Sequence, residues 1–504
     1  MGLKKLVTEQ EFKTGIVTST IFGGLGKALL FFSTLLATHY FGTTQNTDLI
    51  YFLQNSQVQV CGFILAVNMA VIIPRGIYLN HQSNREETIA FYNTVFVLYV
   101  IVGLLILLVF SINPDGIVGA VSKFPAGFLK EHKTVLFFIP VAILFNFLYQ
   151  LMNDVFSSFR RFTVAVLINM LFAIMIIAVL FFFHNRLNEY SYLAGILAGL
   201  IICLAVQFIS LKRSGWHFSI NPKLISARTW SFIGYTQLGQ VFTLVSSFLP
   251  FYLLSGEAGA LSAYNIAFQL ISLPSIFAIS QFSLVAGIKL TEYFAQGKLE
   301  AMNETFKKSC LFLLYISFPI AALLTLFGKN ILERFIHFSS NESQSLAIGF
   351  ISLLSLTIPV NVINTIMARL LMASQKIRTG FVNQAFQNSL LIILSYLLYK
   401  NLGAWGLPLA ILIVQGINLV TFYFIATKFL PHIDYLYVVK WFLLILLLNG
   451  AFFGAFWFLV DIFSPGIAGI ALFIVLYLAA IILVGFKINA VKEVIKQPLQ
   501  FIKN

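Results

Sequence analysis

Charge is the scarcest ingredient of this sequence. Only 10% of its 504 residues are Asp, Glu, Lys or Arg, whereas 59% are hydrophobic and the mean hydropathy is +0.91. A water-soluble fold of that length has too little interior to hide so much apolar surface, so the composition is that of a polytopic membrane protein. Cysteine is nearly absent. Cys61, Cys203 and Cys310 all fall within or at the ends of apolar stretches, which leaves neither a disulfide framework nor a CxxC metal motif. The seven histidines are scattered and no HExxH occurs. There is no GxxxxGK[ST] phosphate loop, and the outward loops carry no close pair of carboxylates. The inventory offers no catalytic residue, no metal site and no cofactor, so an enzyme is not expected.

What the sequence has in abundance is apolar runs of bilayer length. About fourteen can be marked, near residues 15–38, 48–73, 88–112, 134–156, 162–183, 190–211, 230–254, 260–288, 308–328, 346–373, 380–399, 403–427, 438–460 and 465–486. The first is too long for the apolar core of a signal peptide and reads as a retained span. The joining segments are short, which leaves no room for an inserted soluble domain.

The net charge of +14 invites a nucleic-acid reading, but topology accounts for it. With the N-terminus inside, most of the 32 basic residues fall in inward-facing segments, as the positive-inside rule requires. Lys27 and Arg369 are the two that fall within spans. Arg369 lies about a turn from the inner end of span ten and can snorkel to the interface, whereas Lys27 is near the middle of span one. No nucleic-acid partner is expected.

The two halves echo each other. Leu25-Gly26-Lys27 with Ser33-Thr34 in span one resembles Leu238-Gly239-Gln240 with Ser246-Ser247 in span seven. Gln54 and Gln269 stand at nearly the same offset, and so do the basic turns Arg160-Arg161-Phe162-Thr163 and Lys376-Ile377-Arg378-Thr379. This pattern predicts an all-α membrane protein with two six-helix lobes, 1–211 and 212–429, related by a parallel repeat. Residues 430–504 would add two further helices and an amphipathic tail.

Candidate binding residues concentrate in the first hairpin. A lysine at mid-span costs ~2.5–3.5 kcal/mol on insertion scales, so Lys27 should face protein or water, either to hold an anion or to pair with Asp48. Asp48, Tyr51, Asn55, Gln59 and Gly62 recur at helical spacing on one face of span two. Asp48 could position Lys27, take up a proton or cap its own helix. Asn55 and Gln59, with Gln240 and Gln269 in the second half, could bond sugar hydroxyls or hold helices together. Gly23, Gly26 and Gly62 read better as sites of close helix packing than as pore lining. Pro140, Pro274 and Pro359 lie inside spans four, eight and ten, where they should kink or break the helix and could serve as hinges.

The stretch LGKALLFFSTLLATHYFGTTQNTDLIYFL resembles the opening hairpin of the MurJ-type lipid II flippase family, with Phe41-Gly42 and Thr47-Asp48 carrying the match. YNIAFQLISLPSIFAISQFSLVAGIKLTEYFAQGKLE resembles that family's eighth span, and the basic turns FSSFRRFTVAVLIN and LLMASQKIRTGFVNQAFQN are similar to its short loops. The family belongs to the multidrug/oligosaccharidyl-lipid/polysaccharide exporter superfamily, which also holds Wzx-type polysaccharide flippases and MATE-type antiporters. The resemblance implies fourteen spans and a cavity lined with arginines that grip a diphosphate. The corresponding positions here are Lys27, Ser33, Gly62 and Gln269, so only Lys27 keeps a positive charge, and Asp48 matches the family's acid. Some members carry an acidic sodium site near span seven, which here has neither Asp nor Glu.

The function so implied is a flippase that moves a lipid-linked sugar precursor, foremost lipid II, from the inner to the outer leaflet by alternating access. A flippase for O-antigen, capsular or teichoic units and a cation-coupled multidrug antiporter stand as alternatives. The implied partners are a polyprenyl diphosphate-linked oligosaccharide, membrane lipids and cell-wall synthesis enzymes. The implied location is the bacterial cytoplasmic (inner) membrane, with both termini cytoplasmic.

Overall fold

The computed structural model describes residues 12–82, 85–159, 161–225, 227–274, 279, 281–463, 475–477 and 479. Every regular element among them is helical. In chain order these are α1 (Phe12–Phe41), α2 (Gln45–Val67), a π-helical turn (Asn68–Ile72), α3 (Ile73–Gln82) and α4 (Arg85–Ile112). Three short helices follow, α5 (Pro114–Ala120), α6 (Ala126–Glu131) and α7 (Lys133–Leu136), and then α8 (Phe138–Ser158), α9 (Phe162–Leu187) and α10 (Tyr190–Arg213). The second half holds α11 (Ala227–Leu254), α12 (Ala260–Pro274), α13 (Gln281–Ala295), α14 (Leu299–Phe335), α15 (Asn341–Ser355) and α16 (Thr357–Ala373). It ends with α17 (Ile377–Leu402), α18 (Gly406–Phe429) and α19 (Tyr435–Phe463).

Among the described residues, nine helices are long and apolar enough to cross a membrane, or ten with the bent pair α15–α16 taken as one span. One of the nine, Arg378–Phe429, contains both α17 and α18. The expected span one corresponds to α1, and the described parts of span eight are α12 and the start of α13. Of span fourteen only residues 475–477 and 479 are described, so the count of fourteen remains an expectation. The fold is nonetheless that of a multi-pass membrane protein. Leu104, Leu105 and Leu108 on α4, and Phe181 and Phe182 on α9, stand exposed on helices that would face acyl chains rather than water.

The chain packs as two compact units. One comprises residues 1–266 and 335–344, and the other 267–334 and 345–504. In the first unit α9 is clasped between α1 and α10. Small residues make that approach close. A Cβ at Gly195 would stand 3.0 Å from the Ile176 backbone, and one at Gly199 would stand 2.8 Å from the Phe172 ring. Helices in lipid gain little from apolar burial and associate through such backbone proximity and a few polar bonds. In the second unit α13 packs on α16, α16 on α18, and α17 on α18. There Tyr477 is fully buried and its hydroxyl donates to Asn449 Oδ1 on α19 (3.2 Å), so part of span fourteen is packed against span thirteen.

Each unit contains one helix broken ahead of an Ile-Pro-Val sequence. α7 ends at Leu136 and α8 begins at Phe138, two residues before Pro140. α15 ends at Ser355 and α16 begins at Thr357, two residues before Pro359, with a bend of 42°. Proline has no N–H for the carbonyl four residues back, and its ring collides with it. In both cases that carbonyl belongs to the last residue of the preceding helix. The expected interruptions in spans four and ten are therefore present, placed just upstream of the prolines. Pro274 is the last described residue of α12; residues 275–278 lie outside the described set.

Candidate substrate site

The site is built from α1 and α2, which run antiparallel through the turn at Gly42. Near that turn they meet at Tyr51, whose hydroxyl shares a 2.6 Å hydrogen bond with Thr38 Oγ1 and donates to the Thr34 carbonyl (3.2 Å). Thr34 Oγ1 in turn lies 3.3 Å from the Tyr192 hydroxyl of α10. All four side chains are buried. Lys27 lies eleven residues from Thr38 along α1, and Gly62 lies eleven residues from Tyr51 along α2. At ~1.5 Å per residue, both stand about 16 Å beyond the contact and level with each other. Both face open space. Lys27 is exposed, Val58 one turn from Gly62 is 48% exposed, and a Cβ at Gly62 would touch nothing within 4 Å.

The helical register gives the direction of Lys27. Positions 27, 34 and 38 share one face of α1, and Thr34 and Thr38 on that face are buried against α2 and α10. An exposed lysine on an inward face looks into a space between helices, not into lipid. A Cβ at Gly26, on a neighbouring face, would stand 3.4 Å from the Met170 side chain of α9. Among the described residues Lys27 makes no ion pair, so the suggested pair with Asp48 is absent. The packing expected at Gly23 and Gly26 is found, at Val166 and Met170, but Gly62 lines the open space instead.

Asp48 is occupied elsewhere. It is 1% exposed, and its carboxylate accepts from the Gly259 amide (2.5 Å), the Ser262 amide (2.7 Å) and the Ser262 hydroxyl (2.5 Å). These donors are the free N–H groups of the first turn of α12, where an anion is favoured by the helix dipole. Asp48 thus caps a distant helix. Its own helix is capped by Thr44, whose hydroxyl accepts from the Thr47 amide (3.2 Å), which replaces the expectation that Asp48 would cap α2. The close fit explains Gly259, which has φ +80° and where a Cβ would lie 2.9 Å from the Thr43 carbonyl.

The remaining polar residues of α2 tie it to its neighbours. Asn55 Nδ2 donates to Asn265 Oδ1 of α12 (3.3 Å) and to its own Tyr51 carbonyl (2.8 Å). Ser247 Oγ of α11 donates to Gln59 Oε1 (2.7 Å), and Gln237 Nε2 to the Ile64 carbonyl (3.4 Å). Asn55 and Gln59 are half-buried and serve here as interhelical bonds. These contacts also explain why α11 and the start of α12 pack with the first unit. Gln240 is half-buried on α11, and Gln269 is half-buried in the second unit.

One polar cluster goes beyond the sequence reading. Asn68, at the start of the π turn, donates to Asp154 Oδ2 of α8 (2.6 Å) and accepts from the Tyr99 hydroxyl of α4. An unwound turn with an extra residue often marks a functional position. The only signal in the sequence was an Asn and an Asp in apolar runs, far apart in the chain.

A sequence model of the family described as lipid II flippase MurJ matches residues 69–478, most of the chain. The chain belongs to that family. Among solved structures, lipid II flippase MurJ in its inward closed conformation superposes with a TM-score of 0.76 at 18% identity, covering 94% of this chain and 99% of the other. An inward-facing multidrug resistance MATE family transporter of the MOP superfamily gives 0.59 at 14% identity, covering 90% and 96%. The Vibrio cholerae MATE transporter VcmN in its bent form gives 0.58 at 12% identity, covering 84% and 98%. At these identities the likeness speaks for the fold. No curated protein sequence matches the chain significantly. The MurJ family match begins after the hairpin that carries Lys27 and Asp48. Of the four positions that the resemblance sets against the family's arginines, Lys27 and Gly62 are exposed, Ser33 is fully buried, and Gln269 lies in the second unit.

Proposed function

We propose that this chain moves lipid II, a polyprenyl diphosphate-linked precursor, from the inner to the outer leaflet of the bacterial cytoplasmic membrane. Membership of the MurJ family supports the substrate class. The observation that carries the site is Lys27, an exposed cation without an ion-pair partner among the described residues, on the inward face of α1. An ammonium is a compact, mobile anion partner, and a diphosphate in a water-filled cleft needs one. Gly62, exposed at the same number of residues along α2 from the Thr38–Tyr51 contact, would leave room for it. Asn55, Gln59, Gln240 and Gln269 would offer hydrogen bonds to the head group when the helices rearrange. Asp48 would act by fixing α12.

Alternating access between the six-span lobes 1–211 and 212–429 is the mechanism we infer. The breaks ahead of Pro140 and Pro359 would serve as hinges, with Pro274 a third candidate. Both termini would be cytoplasmic, and residues 430–504 would guide the prenyl tail. A membrane potential is worth ~2.3 kcal/mol per charge per 100 mV, so about two negative charges leaving a negative interior gain roughly 4–5 kcal/mol. That suffices to bias flipping without ATP.

The test is depletion of the protein in its host, followed by leaflet-resolved analysis of lipid-linked precursors. Lipid II should accumulate on the inner side. Accumulation of a different polyprenyl-linked glycan, with lipid II unchanged, would overturn the assignment.

A further inference from the structure

A second basic site lies apart from the hairpin, at the end of the first unit where α4 begins and α8 and α10 finish. A cavity of about 120 Å³ opens there, lined by Arg85, Phe156, Phe159, Arg161, Ser214 and Trp216. Two guanidinium groups converge on Ser214. Arg85 Nη2 donates to its carbonyl (2.7 Å), and Arg161 Nη1 donates to its hydroxyl. Arginine carries five N–H donors, and these contacts use one from each. Arg161 Nε is buried and has no hydrogen-bond partner among the described residues. Neither arginine is paired with a carboxylate among the described residues, so two like charges meet in a half-enclosed pocket without compensation.

The walls are fixed in advance. Trp216 Nε1 donates to Asn93 Oδ1 of α4 (2.9 Å), Asn93 Nδ2 returns a bond to the His217 carbonyl (2.9 Å), and the Asn221 amide donates to Thr94 Oγ1 (3.0 Å). The segment after α10 is thereby strapped onto the start of α4. The pocket is also continuous with the lipid-facing surface. A neighbouring groove of about 390 Å³ shares Arg161 and Ser214, adds Arg213, and runs along Val206 and Ile209, which are 38% and 54% exposed.

We propose that this pocket binds the headgroup phosphate of an anionic phospholipid, with an acyl chain lying along Val206 and Ile209. Arginine forks match phosphate oxygens in pairs, and basic pockets between helices at the inner surface suit such headgroups. The apolar groove favours a lipid over free phosphate, which has no use for it. The occupant would tie α4, α8 and α10 together at their ends. This inference does not depend on the transport reading, since it concerns other residues and a ligand that is not carried.

Native mass spectrometry of the full-length protein in detergent tests it, with phosphatidylglycerol and phosphatidylcholine as probes. Phosphatidylglycerol should be retained several-fold more than phosphatidylcholine. The Arg85→Gln/Arg161→Gln variant should lose that excess, and Arg85→Lys/Arg161→Lys should keep most of it. Equal retention of the two lipids, or an excess that survives the glutamine pair, overturns the proposal. In the unmodified protein, phosphatidylglycerol should also slow phenylglyoxal labelling at Arg85 and Arg161. Protection by inorganic phosphate but not by phosphatidylglycerol would overturn the lipid assignment in favour of a free-phosphate site.

Discussion

Asp48 and Ser262, 214 residues apart, are joined by two hydrogen bonds from one serine to one carboxylate oxygen, at 2.7 Å from the amide and 2.5 Å from the hydroxyl. The pair fastens the start of α12 to the start of α2, so the acid nearest the polar hairpin is spent on architecture. Bonds to an ionised group are worth ~1.5–3 kcal/mol, and their loss in a buried setting leaves the donors unsatisfied. Asp48→Asn should therefore lower the melting temperature of the purified protein clearly, with Ser262→Ala doing so by less because the amide bond survives. A melting temperature unmoved by Asp48→Asn would show that the cap contributes nothing.

Lys27→Ala should abolish complementation of a flippase-depleted strain while membrane abundance stays normal, because the side chain is exposed and makes no ion pair among the described residues. Lys27→Arg should restore at least part of the activity. Loss of one charged contact corresponds to about tenfold or more in rate. Full growth with the alanine variant would remove Lys27 from the site.

Gly62→Arg tests the shared space. No atom obstructs a Cβ there, and replacing a mid-helix glycine gains up to ~1 kcal/mol of helix propensity, so the variant should accumulate normally. The new cation should partly rescue Lys27→Ala, since both positions are exposed and lie eleven residues from the Thr38–Tyr51 contact. Absence of rescue, with Gly62→Arg itself active, would mean the two positions do not serve one ligand.

Gly259→Ala should destabilise by about 1–2 kcal/mol from its left-handed backbone alone, and further through contact with Thr43 and Ser343. Thermal unfolding is the measurement. An unchanged melting temperature would mean that the start of α12 can rearrange at no cost.

In proteoliposomes, collapsing an imposed membrane potential should slow outward movement of lipid II. A rate indifferent to the potential would exclude it as the driving force.

Much of the fold was legible because lipid imposes a simple rule: backbone groups must be satisfied within each span, so long apolar runs become helices. The ends of α4, α8, α10 and α11 fall within a few residues of those expected from composition. Proline was less legible. Pro140 and Pro359, each in an Ile-Pro-Val sequence, follow breaks, but Pro250 and Pro319 lie inside unbroken helices, so a proline within an apolar run does not by itself mark a break.

The candidate site divides in the same way. A lysine at mid-span demands a polar surrounding by its hydration energy alone, and helical spacing puts it on one face of α1 with Thr34 and Thr38. Those properties belong to the sequence. Which acid answers that lysine is a matter of distance between segments far apart in the chain. Only the packed structure sets Asp48 beneath α12, leaves Lys27 without an ion-pair partner among the described residues and gathers Arg85 and Arg161 around Ser214. Local spacing determines which side chains share a helix face, whereas partnership between faces is decided by how the helices come together.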